Sequence, residues 1–99
     1  MIIIMGTVKL APDRLDAAKP AMQRMVDASR AEPGCIAYAY AQDLLDPATM
    51  HVAEQWKDRA ALTGHFATTH MAEWRGVMGA LELTGRDLRV FESDEGSPI

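Results

Sequence analysis

Side chains alternate between two faces in four segments of the chain, and this period of two predicts four β-strands. The segments are residues 2–10, 35–42 and 50–56, and a short apolar run at 88–91. A turn that contains an Asp-Pro pair separates the second segment from the third. These two strands are therefore predicted to form a hairpin.

Between the strands, apolar residues recur at spacings of three and four, which predicts amphipathic helices. The inward face of the first helix consists of Leu15, Ala18, Met22, Met25, Val26 and Ser29. Pro20 interrupts this helix and indicates either an irregular first turn or a kink. Asp58 can cap a second helical region, which fits two short helices or one bent helix. Its inward residues are Ala61, Leu62, His65, Phe66 and Thr69, followed by Met71, Trp74, Met78 and Leu81.

The resulting order of elements is βαββαβ, which predicts an α+β, ferredoxin-like fold with an antiparallel sheet and the helices on one face. The predicted domain covers residues 1–92, and residues 93–99 form a polar C-terminal tail without periodicity. Each strand carries apolar residues on both sides, for example Ile3 and Met5 opposite Ile2 and Ile4. An apolar sheet face without a helix usually marks an interface, so we expect a homodimer formed sheet against sheet.

Composition narrows the class of protein. The chain has 99 residues, 48% hydrophobic and 24% charged, which is typical of one soluble globular domain. A net charge of −4 with scattered Lys and Arg argues against binding nucleic acid or a membrane surface. Cys35 is the only cysteine, which excludes an internal disulfide and favours a cytoplasmic location. The apolar opening residues lack the basic flank and length of a signal peptide or membrane span, so they are predicted to be a strand.

Two histidines, His65 and His70, are the main candidates for catalytic residues. His65 lies on the inward face of its helix, where it could be a general base or a core residue bonded to a backbone carbonyl. His70 follows five residues later, about 140° around a continuous helix, so the pair can share a site only if the helix breaks. Thr68 and Thr69 could supply that break and place His70 near a cavity mouth. Spacing of five and the lack of a completing ligand argue against a metal site.

Other residues could line a pocket beside these histidines. Glu54 shares a strand face with Val52 and Trp56, so its carboxylate needs a partner: it could orient a histidine or bond across a dimer interface. The alternation in residues 35–42 places Ile36, Tyr38 and Tyr40 on one strand face. Tyr38 or Tyr40 could face the same pocket, and the sequence leaves open which one does. For Trp56 and Trp74 a packing role is favoured over contact with a ligand.

Over about residues 2–92, the chain resembles the antibiotic biosynthesis monooxygenase family, of the quinol monooxygenase type. The resemblance is carried by the run from Ala28 to Cys35 with Glu32-Pro33-Gly34-Cys35 at its end, Tyr38, Glu54-Gln55-Trp56, His65 and His70. Many members have Phe where this chain has Met71, an exchange that keeps the position apolar. Haem-degrading relatives are less similar, because Arg75 stands at their haem-ligand position.

The resemblance implies a dimeric ferredoxin-like α/β-barrel that oxidises a quinol-like or polycyclic phenolic substrate with molecular oxygen and no cofactor. In that function His65 and His70 would be catalytic. The substrate-binding residues would be Tyr38, Glu54, Trp56, Phe66 and Trp74. Such chemistry needs a base that generates the substrate anion and donors that stabilise it. Two alternatives stay open: a small-molecule-binding or stress-associated dimer without turnover, and an isomerase of a small oxygenated metabolite.

Overall fold

The computed structural model describes all 99 residues and confirms the predicted α+β, ferredoxin-like arrangement. Its elements are β1 (Ile2–Lys9), α1 (Pro12–Arg30), β2 (Cys35–Gln42), β3 (Thr49–Trp56), α2 (Arg59–Phe66), α3 (Thr69–Ala80) and β4 (Gly85–Glu92). The strands form one antiparallel sheet in the order β2-β3-β1-β4. This sheet is open, with β2 and β4 at its edges, so a single chain does not close a barrel. No helix or strand follows Glu92.

The inner face of the sheet supplies much of the core. Alternate residues of β1 and β3 face the helices, and Ile2, which pairs with Trp56, and Val8, which pairs with Met50, are all buried. The opposite, outer face is covered by no helix, and Met5 there is 55% exposed. None of the three helices combines the length and the apolar character needed to cross a bilayer.

Pro20 lies inside α1, well after the helix begins at Pro12, so one of the two alternatives predicted for it, an irregular first turn, is wrong. Ile36 is a second correction. The alternation in β2 predicted Ile36 on the face of Tyr38 and Tyr40, but a β-bulge between Cys35 and Ala37 breaks the register, and Ile36 is exposed. An extra residue in one strand changes the sheet face on which the neighbouring side chains lie, and a strict period of two does not predict this change.

The second helical region divides into α2 and α3, which confirms the first of the two arrangements left open by the sequence. The Asp58 carboxylate accepts the backbone N–H of Ala61 at 2.8 Å and caps α2. Thr68 caps α3, because its hydroxyl oxygen accepts the backbone N–H of Met71 at 3.2 Å. The same hydroxyl donates to the carbonyl of His65 at 2.7 Å. Thr68 therefore joins the end of one helix to the start of the next.

Candidate active site

A cavity of about 420 Å³ lies between the inner face of the sheet and helix α3. Seventeen residues line it and twelve of them are hydrophobic. This size and apolar lining are typical of sites that bind small organic molecules. Its polar lining includes Tyr38, Tyr40, Glu54 and His65.

His65 is anchored beside this cavity by a carboxylate from a distant part of the chain. Its Nδ1 atom lies 2.6 Å from Oε2 of Glu32, in the turn after α1. The Nε2 atom of His70 lies 2.9 Å from the same oxygen. Because a carboxylate accepts hydrogen bonds, both imidazoles donate an N–H to Glu32. The two histidines thus share one partner.

The break between α2 and α3 makes this arrangement possible. His65 lies in the last turn of α2 and His70 at the start of α3, so the two rings come within 5.8 Å instead of pointing apart. Gly34 brings the turn that bears Glu32 close to α2: a Cβ atom there would lie 2.4 Å from Cβ of Ala61. Only glycine allows this close approach of the backbone.

The sequence predicted that no further ligand completes a metal site with the two histidines, and this cluster corrects that prediction. Ligand atoms of Glu32, His65 and His70 all lie within 4.8 Å of one another, so the three residues could hold a metal ion. Their contacts of 2.6 and 2.9 Å are nevertheless hydrogen-bond lengths. Ligands bound tetrahedrally at about 2.0–2.1 Å from zinc would lie roughly 3.3 Å apart. The observed spacing is that of a hydrogen-bonded cluster.

The environment of His65 controls its charge. The side chain is 1% exposed, with its ring centroid 4.5 Å from that of Trp56 and 5.6 Å from that of Tyr38. Burial lowers the pKa of His65, and the hydrogen bond and charge of Glu32 partly oppose that shift. His65 is therefore an uncharged imidazole at neutral pH, able to accept a proton at its second nitrogen.

Glu54 is a second titratable group on the cavity wall. Its Oε1 atom accepts the indole N–H of Trp56 at 3.0 Å, so its partner within the chain is this indole and not a histidine. Burial raises the pKa of Glu54 to about 7, against the opposing effect of the Trp56 hydrogen bond. This carboxyl group can therefore both donate and accept a proton near neutral pH.

Both tyrosines line the cavity. They are two positions apart in β2, so their side chains lie on the same face of the strand. Their hydroxyl oxygens are 2.6 Å apart, and the ring of Tyr40 stacks on Trp74 at 5.8 Å. Burial raises the pKa of both phenols, which therefore remain protonated at neutral pH. They form a hydrogen-bonded and aromatic wall.

Five of the seven site residues predicted from the sequence line the cavity: Tyr38, Glu54, His65, Phe66 and Trp74. The other two lie outside the lining. Trp56 has no exposed surface and lies behind the wall, where its indole supports Glu54. His70 lies outside the cavity lining because its ring is turned toward Glu32.

No functional role was predicted for Glu32 or for the arginines of the cavity, and Tyr40 was predicted only as an alternative to Tyr38. Glu32 stands in the motif that carries the family resemblance, and the period of two already placed Tyr40 on the face of Tyr38. Those two signals could have identified these residues. Arg86 and Arg89 lie on β4 and line the cavity with Arg75 of α3. Their position depends on the pairing of β1 with β4, which no local pattern encodes.

Two known proteins are similar to this chain in sequence. A "Putative monooxygenase YcnE" of Bacillus subtilis is 31% identical over 70 residues, or 71% of this chain and 74% of that protein. An uncharacterised Synechocystis protein, sll1783, is 34% identical over 73 residues, or 74% of this chain. The match spans about half (50%) of the length of that relative.

A solved structure shows the same fold. The "putative antibiotic biosynthesis monooxygenase" of Deinococcus radiodurans superposes with a TM-score of 0.90 at 23% identity, covering 100% of this chain and 98% of that one. The sequence model of one family, described as antibiotic biosynthesis monooxygenase, matches residues 1–77. Family membership supports a monooxygenase-type function. This chain belongs to the antibiotic biosynthesis monooxygenase family.

Proposed function

We propose that this protein is a cofactor-independent monooxygenase that oxidises a quinol-like or polycyclic phenolic molecule with molecular oxygen. The observation that carries the proposal is the position of His65. It is a buried, uncharged imidazole on the wall of an apolar cavity, anchored through Nδ1 to Glu32. Glu32 is outside the cavity lining, so the ring edge with Nε2 is the one left to meet a substrate.

The first step is removal of a proton from the substrate. Nε2 of His65 accepts it, and the resulting imidazolium is stabilised by the Glu32 carboxylate on the other side of the ring. The anion that forms is electron-rich enough to reduce oxygen directly. One hydroxyl of the Tyr38–Tyr40 pair can donate a hydrogen bond to its oxygen, and the apolar lining keeps water from the intermediates.

The second step forms a carbon–oxygen bond. The anion transfers one electron to oxygen, and the resulting radical pair combines to a peroxide on the ring carbon. Protonation by Glu54, whose pKa of about 7 keeps part of it protonated, gives the hydroperoxide. The remaining hydrogen on that carbon leaves as a proton, the O–O bond breaks to give a carbonyl, and this proton and the departing hydroxide form water. The proton that His65 took in the first step returns to Glu54. The substrate supplies all four electrons, so one oxygen atom enters the product and the other leaves as water.

We further propose that the outer face of the sheet pairs with a second copy of the chain. On this face Met5 of β1 pairs with Ala53 of β3, which in turn pairs with Ala39 of β2. Phe91 is 45% exposed nearby, opposite Ile3. The centre of this surface is apolar and made of small residues, which suits packing of one sheet on another. We propose a cytoplasmic location because Cys35 is a single cysteine without a disulfide partner in the chain.

The test is oxygen uptake by protein stripped of metals and flavins and supplied with hydroquinones and anthrone-type phenols. His65→Gln should abolish uptake, and His70→Gln should reduce it by a smaller factor because His70 acts only through Glu32. His51→Gln is the matched control, since His51 is exposed and pairs with Asp43 away from the cavity. Uptake that survives in His65→Gln would refute the assigned base. Binding without uptake by the unaltered protein would favour the non-catalytic alternative.

A further inference from the structure

The cavity is positively charged although the chain as a whole is acidic. The chain has 14 Asp and Glu against 10 Lys and Arg, yet three arginines, Arg75, Arg86 and Arg89, line this one cavity. Glu54 is the only acidic residue in the lining. Glu54 has one carboxyl group, so it cannot neutralise the guanidinium groups of both Arg75 and Arg86.

Arg86 is the arginine without a partner. Arg14, Arg24, Arg59 and Arg89 each form an ion pair, with Glu82, Glu73, Glu92 and Asp87 respectively. Arg30 and Arg75 donate to the backbone carbonyls of Tyr38 and Phe66. Arg86 makes no such bond. A guanidinium has five N–H donors in a planar fork that matches a carboxylate, so Arg86 is free to bind one.

The strand register separates this arginine from the reactive groups. On β1, Ile4 pairs with Glu54 on one side and Val90 on the other, whereas Val8 pairs with Met50 and Arg86. Ile4 and Val8 are four residues apart along β1, which is roughly 13 Å between their Cα atoms. Glu54 and Arg86, which pair with them, are therefore far apart along the strands. Between them lie apolar lining residues, with Tyr40 stacked on Trp74. The cavity therefore has a proton-transfer end, an aromatic middle and a cationic end.

We infer that the substrate of this cavity is an aromatic carboxylate: a fused-ring phenol whose carboxylate group binds Arg86 at the β4 edge while its reactive ring lies near His65 and Glu54. This inference rests on the proposed function, because it names the class of substrate for the same site. Arg75 donates to the carbonyl of Phe66 at the His65 end of the cavity, so Arg86 alone is assigned to the carboxylate. Arg89 pairs with Met5 of β1, which places its side chain on the outer face of the sheet, where it binds Asp87.

The test compares two unreactive probes of the same shape, anthracene-2-carboxylate and anthracene-2-carboxamide, by titration calorimetry with the intact protein. The wild type is expected to bind the carboxylate about tenfold or more tightly than the amide, as for a charge-assisted bidentate pair. Arg86→Gln should bring this ratio close to one and Arg86→Lys should restore part of it. Arg59→Gln, which loses a surface pair with Glu92, is the control and should keep the full ratio.

Equal affinity of the wild type for the two probes, an unchanged ratio in Arg86→Gln, or no binding of either probe would overturn the inference. Because neither probe can be oxidised, these results do not depend on turnover. Oxygen uptake is then measured with a hydroxyanthrone and its carboxylate derivative. Preference for the carboxylate without uptake would refute the monooxygenase proposal alone. Uptake with equal kcat/KM for both compounds would refute the substrate class alone.

Discussion

Glu32 and His65 are 33 positions apart in the sequence, and their side chains meet at 2.6 Å between Oε2 and Nδ1. The contact joins the turn after α1 to the end of α2, and the close approach at Gly34 brings the two segments together. The carboxylate fixes the ring orientation and the tautomer of a histidine that lines the cavity. It is therefore a positioning residue for the proposed base.

Glu32→Gln should lower kcat for oxygen uptake about tenfold to hundredfold, the range for a lost hydrogen bond to a charged group, with little change in KM. Glu32 raises the pKa of His65, so its neutralisation lowers that pKa further. His65 must be uncharged to act as a base, and the acid limb of the pH–rate profile should therefore move to lower pH. The measurement is kcat as a function of pH.

The control for this variant is Glu73→Gln, which removes a surface carboxylate that pairs with Arg24. It should leave both kcat and the acid limb unchanged. A fall in kcat for Glu32→Gln with an acid limb that does not move would indicate a structural role for Glu32 and would contradict its action through His65.

Glu54 should make the protein less stable as pH rises. Its pKa is about 7 in the folded state and 4.5 as an ordinary carboxyl, so between these values the folded chain binds more protons than the unfolded chain. The free energy of unfolding of the wild type, relative to Glu54→Gln, should fall by about 3 kcal/mol from pH 4.5 to pH 8. Urea unfolding of both proteins across this range measures the difference.

A companion variant, Trp56→Phe, removes the indole N–H that holds down the pKa of Glu54. The pKa should rise, and the pH at which the stability difference levels off should rise with it. NMR titration of the Glu54 carboxyl carbon reports this pKa directly. A stability difference between wild type and Glu54→Gln that stays constant from pH 4.5 to 8 would refute the raised pKa.

Local patterns predicted the elements and their faces because a strand face or a helix face is set by spacing alone. That is why His65 was correctly placed on the inward side and Glu54 on the same strand face as Val52 and Trp56. The role of Glu32 could not be predicted in this way, since it depends on the turn after α1 meeting α2. The bulge at Ile36 and the placement of Arg86 also arise from pairing between strands, which tertiary packing decides.

Gly6 marks the place where β1 and β4 come too close for a side chain. Its φ of +152° is rarely adopted by other residues, and a Cβ atom would lie 1.8 Å from the carbonyl oxygen of Asp87. Gly6→Ala should therefore lower the free energy of unfolding by more than about 1 kcal/mol. Thermal and urea unfolding measure this loss.

Gly76 provides the matched control for Gly6→Ala. It lies within α3, and a Cβ atom added there would meet no other atom within 4 Å. Gly76→Ala should stabilise the protein by about 0.5–1 kcal/mol, because alanine restricts the unfolded chain and favours helix. Equal effects of the two substitutions would contradict the close packing of β1 on β4.

Thr68→Ala should weaken the junction between α2 and α3. The substitution removes the cap of the Met71 N–H and the bond to the His65 carbonyl, at a cost of about 1 kcal/mol. His70, two residues into the helix, should lose its fixed position against Glu32, visible as a change in its imidazole NMR shifts. Thr68→Ser retains the hydroxyl and should preserve both the stability and the spectrum.

The hydrogen bond between Tyr38 and Tyr40 limits the number of hydrogen-bond donors that this wall presents to a ligand. The two hydroxyl oxygens are 2.6 Å apart, so one hydroxyl hydrogen is used within the pair and only the other can point to a bound molecule. Two phenols on the cavity wall therefore act as a single donor. The pair recognises one oxygen atom of a ligand, and a molecule with two neighbouring oxyanions would leave the second unsatisfied at this wall.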